Sequence, residues 1–186
     1  FDYPLTLPEI HRWSIGYKVK YTSGVSFRTL PMVEHLRDFY FLEDRRSLVN
    51  LRLRRRRISY KKLKLAARVG QWLKFFPTIK LVAVTGALAM HNSDQHDDID
   101  LMIVTSPHTL WLTRIFVVML MEILGIRRRP EFTLSLSKGR RPQSTSSSNQ
   151  ICLNLWLDTT NLTVPGKNRN LYTAHEVAQV IPIVNQ

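Results

Sequence analysis

Residues 79–104 read IKLVAVTGALAMHNSDQHDDIDLMIV, and the fold follows from how this stretch is parsed. Its first part is a continuous apolar run ending at Gly86, the pattern of a buried strand entering a tight turn. Its last part, DIDLMIV, predicts a second strand, with Pro107 marking the exit. Side chains of a strand alternate between faces, so Asp98 and Asp100 are expected on one face, close together, while Ile99, Leu101 and Ile103 turn into the core. Two carboxylates that near repel each other unless a cation lies between them. A hard divalent ion such as Mg²⁺ takes a few carboxylates together with substrate phosphates. An acidic turn accounts for Asp94 and Asp97 but not for an acid inside an apolar strand at position 100. Across the turn, Gly86 and Ala87 start a segment of small residues, where backbone N–H groups can approach a phosphate closely.

Working outward, residues 47–76 are helical and strongly basic, and the pattern predicts two helices broken near Ile58 to Tyr60. Pro77 ends them, because the residue before a proline is pushed out of the helical region. After DIDLMIV, Leu110 to Gly125 reads as a buried helix with Gly125 as its C-cap, and Trp111, Phe116 and Leu120 as core positions. Arg114 on that helix is expected to partner an acid. Lys138 to Gln150 is a polar loop, ICLNLWLD (151–158) a third strand, and LYTAHEVAQVI (171–181) a final helix. The resulting order of helices and strands implies an α/β or α+β domain with a small mixed sheet.

Upstream, residues 1–50 read as a separate small module and 51–186 as the main domain. Thr6, Pro8 and Glu9 form a capping-box arrangement at a helix start. Residues Gly16 to Gly24 are turn-rich, and Leu30, Val33 and Leu36, followed by Phe39 to Leu42, are expected to give a helix and a short strand. Helix, turn and strand with basic flanks suggest a winged helix.

The charge is lopsided: 27 Lys and Arg stand against 14 Asp and Glu, a formal net of +13. That excess favours polyanionic partners, and the segment Arg52–Lys64 is the candidate contact for nucleic acid. The most apolar stretch, Leu110 to Ile126, is too short and too charged for a membrane span. The single cysteine, Cys152, cannot form an internal disulfide, which makes a reducing cytoplasm the expectation. The chain opens at Phe1 without a signal-like segment and reads as a fragment of a longer protein.

Taken together, an apolar strand, Gly86-Ala87, a short spacer and Asp98-Ile99-Asp100-Leu101 resemble the motif of the DNA polymerase β-like nucleotidyltransferase superfamily. Further stretches, LWLTRIF, GIRRRP, ICLNLWLD and RNLYTAHEV, extend the likeness to a bacterial group of nucleotidyltransferase-domain proteins, which carry a winged-helix-like segment before the domain. The resemblance implies that Gly86 and Ala87 contact the triphosphate of an NTP, that Asp98 and Asp100 hold two Mg²⁺ ions, and that a nucleoside monophosphate passes to a hydroxyl. It also implies a third carboxylate on a later strand. There the alternation puts Cys152, Asn154, Trp156 and Asp158 on one face, so either Asp158 is that acid or Asn154 has replaced it. Ala87 stands where the family has Ser or Gly. The alternative expectation is a catalytically degenerate module that binds nucleic acid or acts as an antitoxin-like regulator.

Overall fold

A computed structural model describes residues 3–13, 32–127 and 149–186; the turn-rich stretch from Gly16, Leu30 and most of the loop from Lys138 lie outside the described residues. The architecture is mixed α and β with two small sheets, and the chain divides into two compact units, Phe1–Arg57 and Ile58–Gln186.

In the first unit, β1 (Leu5–Thr6) leads into α1 (Leu7–Trp13), and β2 (Val33–Leu36) and β3 (Phe39–Leu42) form an antiparallel hairpin. The sheet order is β1-β3-β2. The helix expected over Leu30 to Leu36 is therefore replaced, from Val33 on, by a strand. Four apolar-spaced residues fit one helical turn as well as a short strand, and Arg37, at φ 55°, turns the chain back. At the start of α1 the reciprocal arm of the capping box is made: the Thr6 N–H donates to Glu9 Oε2 at 2.8 Å. Phe39, Phe41 and Val49 form the small core. Arg52 is buried beside it, ion-paired to Glu9 at 2.7 Å and lying over the Tyr3 ring.

One helix, α2 (Ser47–Leu73), replaces the two expected ones. Its interior up to Val69 holds no glycine or proline, and its Leu, Arg, Lys and Ala are strong helix formers, so Ile58 to Tyr60 gives no reason to break. The unit boundary falls within it, between Arg57 and Ile58.

The second unit is built on the four-stranded sheet β6-β5-β4-β7. Here β4 (Ile79–Val84) pairs antiparallel with β5 (Ile99–Thr105), and β5 pairs parallel with β6 (Ile151–Asp158). A short helix, α3 (Gly86–Ala89), follows β4, and α4 (Leu110–Ile123) carries the crossover toward β6. The final helix, α5 (Leu171–Gln179), stops before Ile181, and Ile181–Asn185 forms β7 against β4 instead of extending the helix. Pro182, which cannot donate a helical or ladder hydrogen bond, fits an edge strand.

Core residues occupy both faces of the sheet. Val82, Val84, Ile99, Leu101, Ile103 and Ile151 pack with Val69 and Leu73 of α2 and Val117 and Met121 of α4. On the opposite face, Ala83, Met102 and Val104 cluster with Leu157. Gly70 allows α2 to approach β7: a Cβ there would lie 3.0 Å from Ile183 Cδ1 and 3.1 Å from Val184 Cγ2. Among the described residues, no helix is long and apolar enough to cross a membrane.

Candidate functional site

The two candidate acids differ in how they are placed. Asp100 lies within β5, between the fully buried Ile99 and Leu101, whereas Asp98 immediately precedes the strand. The alternation that buries Ile99, Leu101 and Ile103 on one face of the sheet sends the Asp100 side chain to the other, where it is half-buried.

Gly86 receives it. A Cβ built at Gly86 would lie 3.1 Å from Asp100 Oδ2, so the carboxylate sits directly against the turn that ends β4. The backbone there is at φ +65°, which favours glycine. The Thr85 N–H donates to the Asp100 carbonyl at 3.0 Å, tying the turn to the strand beneath the carboxylate. Ala87 follows, exposed. Two buried polar atoms near this turn, Thr85 Oγ1 and Asn92 Oδ1, have no hydrogen-bond partner among the described residues. A buried polar group left unpaired costs about 1–3 kcal/mol, and such groups are commonly satisfied by water or a ligand.

The loop from His91 to Asp98 is held from α2. Lys62, 2 % exposed, donates from Nζ to the carbonyls of Asp94, at 2.5 Å, and Asp97. Ser59 Oγ accepts from the Ser93 N–H at 3.1 Å. Within the loop, the Asp94 N–H donates to Asp97 Oδ2 at 2.6 Å and the Gln95 N–H to Asp94 Oδ1 at 2.6 Å, so Asp94 and Asp97 build the turn. Burial pushes the Lys62 ammonium below the ordinary lysine value, and the charges of Asp97, Asp98 and Asp94 oppose that shift. Lys62 was legible only as one cation of a basic run. It is a buried clamp whose charge bears on Asp98.

The third acid is not brought to this place. In the β5–β6 ladder Asp100 stands opposite Cys152, while Asp158 stands opposite Thr105, five residues along, or roughly 16 Å at strand spacing. The pairing slips between Leu101 and Met102, which leaves Asn154 without a rung and reverses the alternation beyond it. Leu153 and Trp156 therefore both pack into the core that contains Ile103, and the single face expected for Cys152, Asn154, Trp156 and Asp158 does not form. Asn154 itself is exposed. Asp158 accepts from the His108 N–H at 2.7 Å, the Thr160 N–H at 2.8 Å and the Thr160 hydroxyl at 2.7 Å, closing a turn. The Thr160 bonds, helped by that from His108, hold its carboxyl below the usual carboxylate range.

Among the described residues, no three His, Cys, Asp or Glu side chains gather where they could hold a metal ion. What the structure places at the Gly86 turn is the Asp100 carboxylate, with two unpaired polar atoms nearby; Asp98 stands two residues before Asp100 along the chain, just ahead of the strand. That donor set suits one hard cation completed by phosphate oxygens; it lacks the third carboxylate of a two-ion arrangement. On α2, Lys61, Lys64 and Arg68 are exposed at three- and four-residue spacing, one helical face, and Lys64 lies over the exposed Tyr60 ring. Arg54, Arg56 and Arg57 are exposed in the part of that helix belonging to the first unit, while Arg52 is buried.

Compared with protein-family models, curated proteins and solved structures, the chain matches none of them.

Proposed function

We propose that the chain is a nucleotidyltransferase of the DNA polymerase β-like kind, binding an NTP with a divalent cation at Gly86, Asp98 and Asp100. The observation that carries this reading is the Asp100 carboxylate packed against the Gly86 turn, 3.1 Å from where a side chain would begin. Only a glycine leaves room there for both the acid and an approaching phosphate. The unpaired Thr85 hydroxyl and the backbone of Gly86 and Ala87 would donate to phosphate oxygens, and the Lys62 clamp keeps the loop that carries Asp98 in place. Magnesium, when held by Asp98 and Asp100, would neutralise phosphate charge. In the reaction an acceptor hydroxyl attacks the α-phosphorus, the bond to pyrophosphate breaks, and the hydroxyl proton leaves to solvent or a nearby carboxylate. With two carboxylates in place of three, slow turnover is expected. The first unit, with a short helix and a three-stranded antiparallel sheet, is read as the winged-helix-like module.

The test is incubation with α-labelled NTPs, Mg²⁺ and a cell extract. The wild-type chain transfers label to an acceptor, and Asp100→Asn lowers transfer by roughly two orders of magnitude or more. Labelling that is equal in the variant, or that persists in EDTA, overturns the reading. A nucleotide-dependent thermal shift requiring Mg²⁺ and lost in Asp100→Asn reports binding separately from turnover.

The placement of Asp158 and Asn154 favours a second reading, a catalytically silent module whose exposed cations on α2 bind nucleic acid. Salt-sensitive retention of RNA or DNA that survives Asp100→Asn, with no transfer of label, supports it.

A further inference from the structure

Helix α4 was expected to be buried, and it is apolar around most of its circumference, yet only Thr113, Val117 and Met121 are buried in the unit. Trp111, Leu112, Ile115, Phe116, Met119 and Ile123 are 45–75 % exposed, so two of the expected core positions, Trp111 and Phe116, lie on the surface. At 100° per residue these six fall on one broad face opposite the buried stripe. A helix that is hydrophobic all round normally has both sides covered. A large apolar side chain presents on the order of 200 Å² when bare, so the face leaves about 700 Å² of apolar surface. The largest patch of a typical monomer is about 300–600 Å², whereas a stable interface takes about 800 Å² from each partner.

We infer that this face of α4 is the contact between two copies of the chain, which pair antiparallel about a twofold axis at the level of Val118. Trp111, Ile115, Met119 and Ile123 form an unbroken ridge at four-residue spacing, and such a ridge interdigitates with a second copy of itself. The charges agree with that arrangement. Arg114 and Glu122 flank the ridge on the same side, each four residues from Val118, so an antiparallel twofold sets Arg114 of one copy across from Glu122 of the other, whose carboxylate also accepts from Arg127 of its own chain at 2.8 Å. Within one chain Arg114 lies near the Trp111 ring, at 5.6 Å, and the Trp156 ring, at 5.9 Å, which holds its charge at the margin and leaves the centre of the face apolar. The contact is separate from the Gly86–Asp100 site and stands whether or not that site is catalytic.

Sedimentation equilibrium on the 186-residue chain tests it. The wild type sediments at twice 21.7 kDa, and Ile115→Glu/Met119→Glu at 21.7 kDa with an unchanged circular dichroism spectrum, since both residues are exposed. In a Cys152→Ser background, Met119→Cys, one residue from the axis, cross-links two copies under oxidation; Trp111→Cys, seven residues away, does not. A wild type that stays monomeric at about 100 µM, a dimer that survives the double substitution, open-ended higher oligomers, or cross-linking at position 111 in preference to 119 each overturn the inference.

Discussion

At Gly86 two constraints coincide: a left-handed backbone and a carboxylate occupying the space where a side chain would start. Gly86→Ala violates both. It is expected to destabilise the protein by about 1–2 kcal/mol from the backbone alone, with further loss from the contact with Asp100, measurable by urea denaturation. At Lys62 the expected cost has a different origin. Lys62→Met keeps the apolar stem but removes the donor to the part-buried carbonyls of Asp94 and Asp97, and leaving such acceptors unpaired costs about 1–3 kcal/mol, toward the lower end where solvent reaches them. The same denaturation curves check it, and a variant as stable as wild type would show that water replaces the ammonium. These residues also mark what could be read beforehand. Asp100 was legible because an acid breaking an apolar strand is a local anomaly. Lys62 was not, because a buried lysine in a basic helix looks like its solvated neighbours until the chain packs.

For the elements, legibility depended on length and on register. The strands Ile79–Val84, Ile99–Thr105 and Ile151–Asp158 were readable because their apolar runs are long and interrupted by turn residues. Short pieces were uneven: Phe39–Leu42 was readable as a strand, but the strand Val33–Leu36 has too few residues to separate a helical from an extended period, and Ile181–Asn185 follows a helix with only Val180 between them. Register was invisible altogether. Whether Asp158 reaches Asp100 depends on a slipped rung at Asn154, and nothing local to ICLNLWLD announces the slip. Where Asp158 does lie, its bonds join the end of β6 to the turn after β5, and this has a pH signature. Its folded-state pKa is depressed below 3.8, so its contribution is present above that value and is lost as pH falls through the lower, folded one. Between about pH 5 and pH 2 the thermal midpoint of wild type should therefore fall more than that of Asp158→Asn. Parallel curves for the two proteins would contradict the role given to this carboxylate.

For the molecule as a whole, the net charge of +13 is visible from composition, but its distribution is not. Arg52 and Lys62 are consumed in internal bonds, and the cations left at the surface of α2 are those a polyanion can meet. If the chain binds nucleic acid through Lys61, Lys64 and Arg68, replacing all three by Gln should weaken retention and lower the salt slope of log K by about 2–3. An unchanged slope would place the phosphate contacts elsewhere. The sheet has a last consequence for timing. Strand β5 is closed in by core on both faces and paired along both edges, so its amide protons should be among the slowest of this unit to exchange with deuterium. Asp100 thus rides on the stiffest part of the unit. A nucleotide arriving there would find the acid already in position, and protection factors along 99–105 should change little on capture, with any new protection appearing in the 91–98 loop.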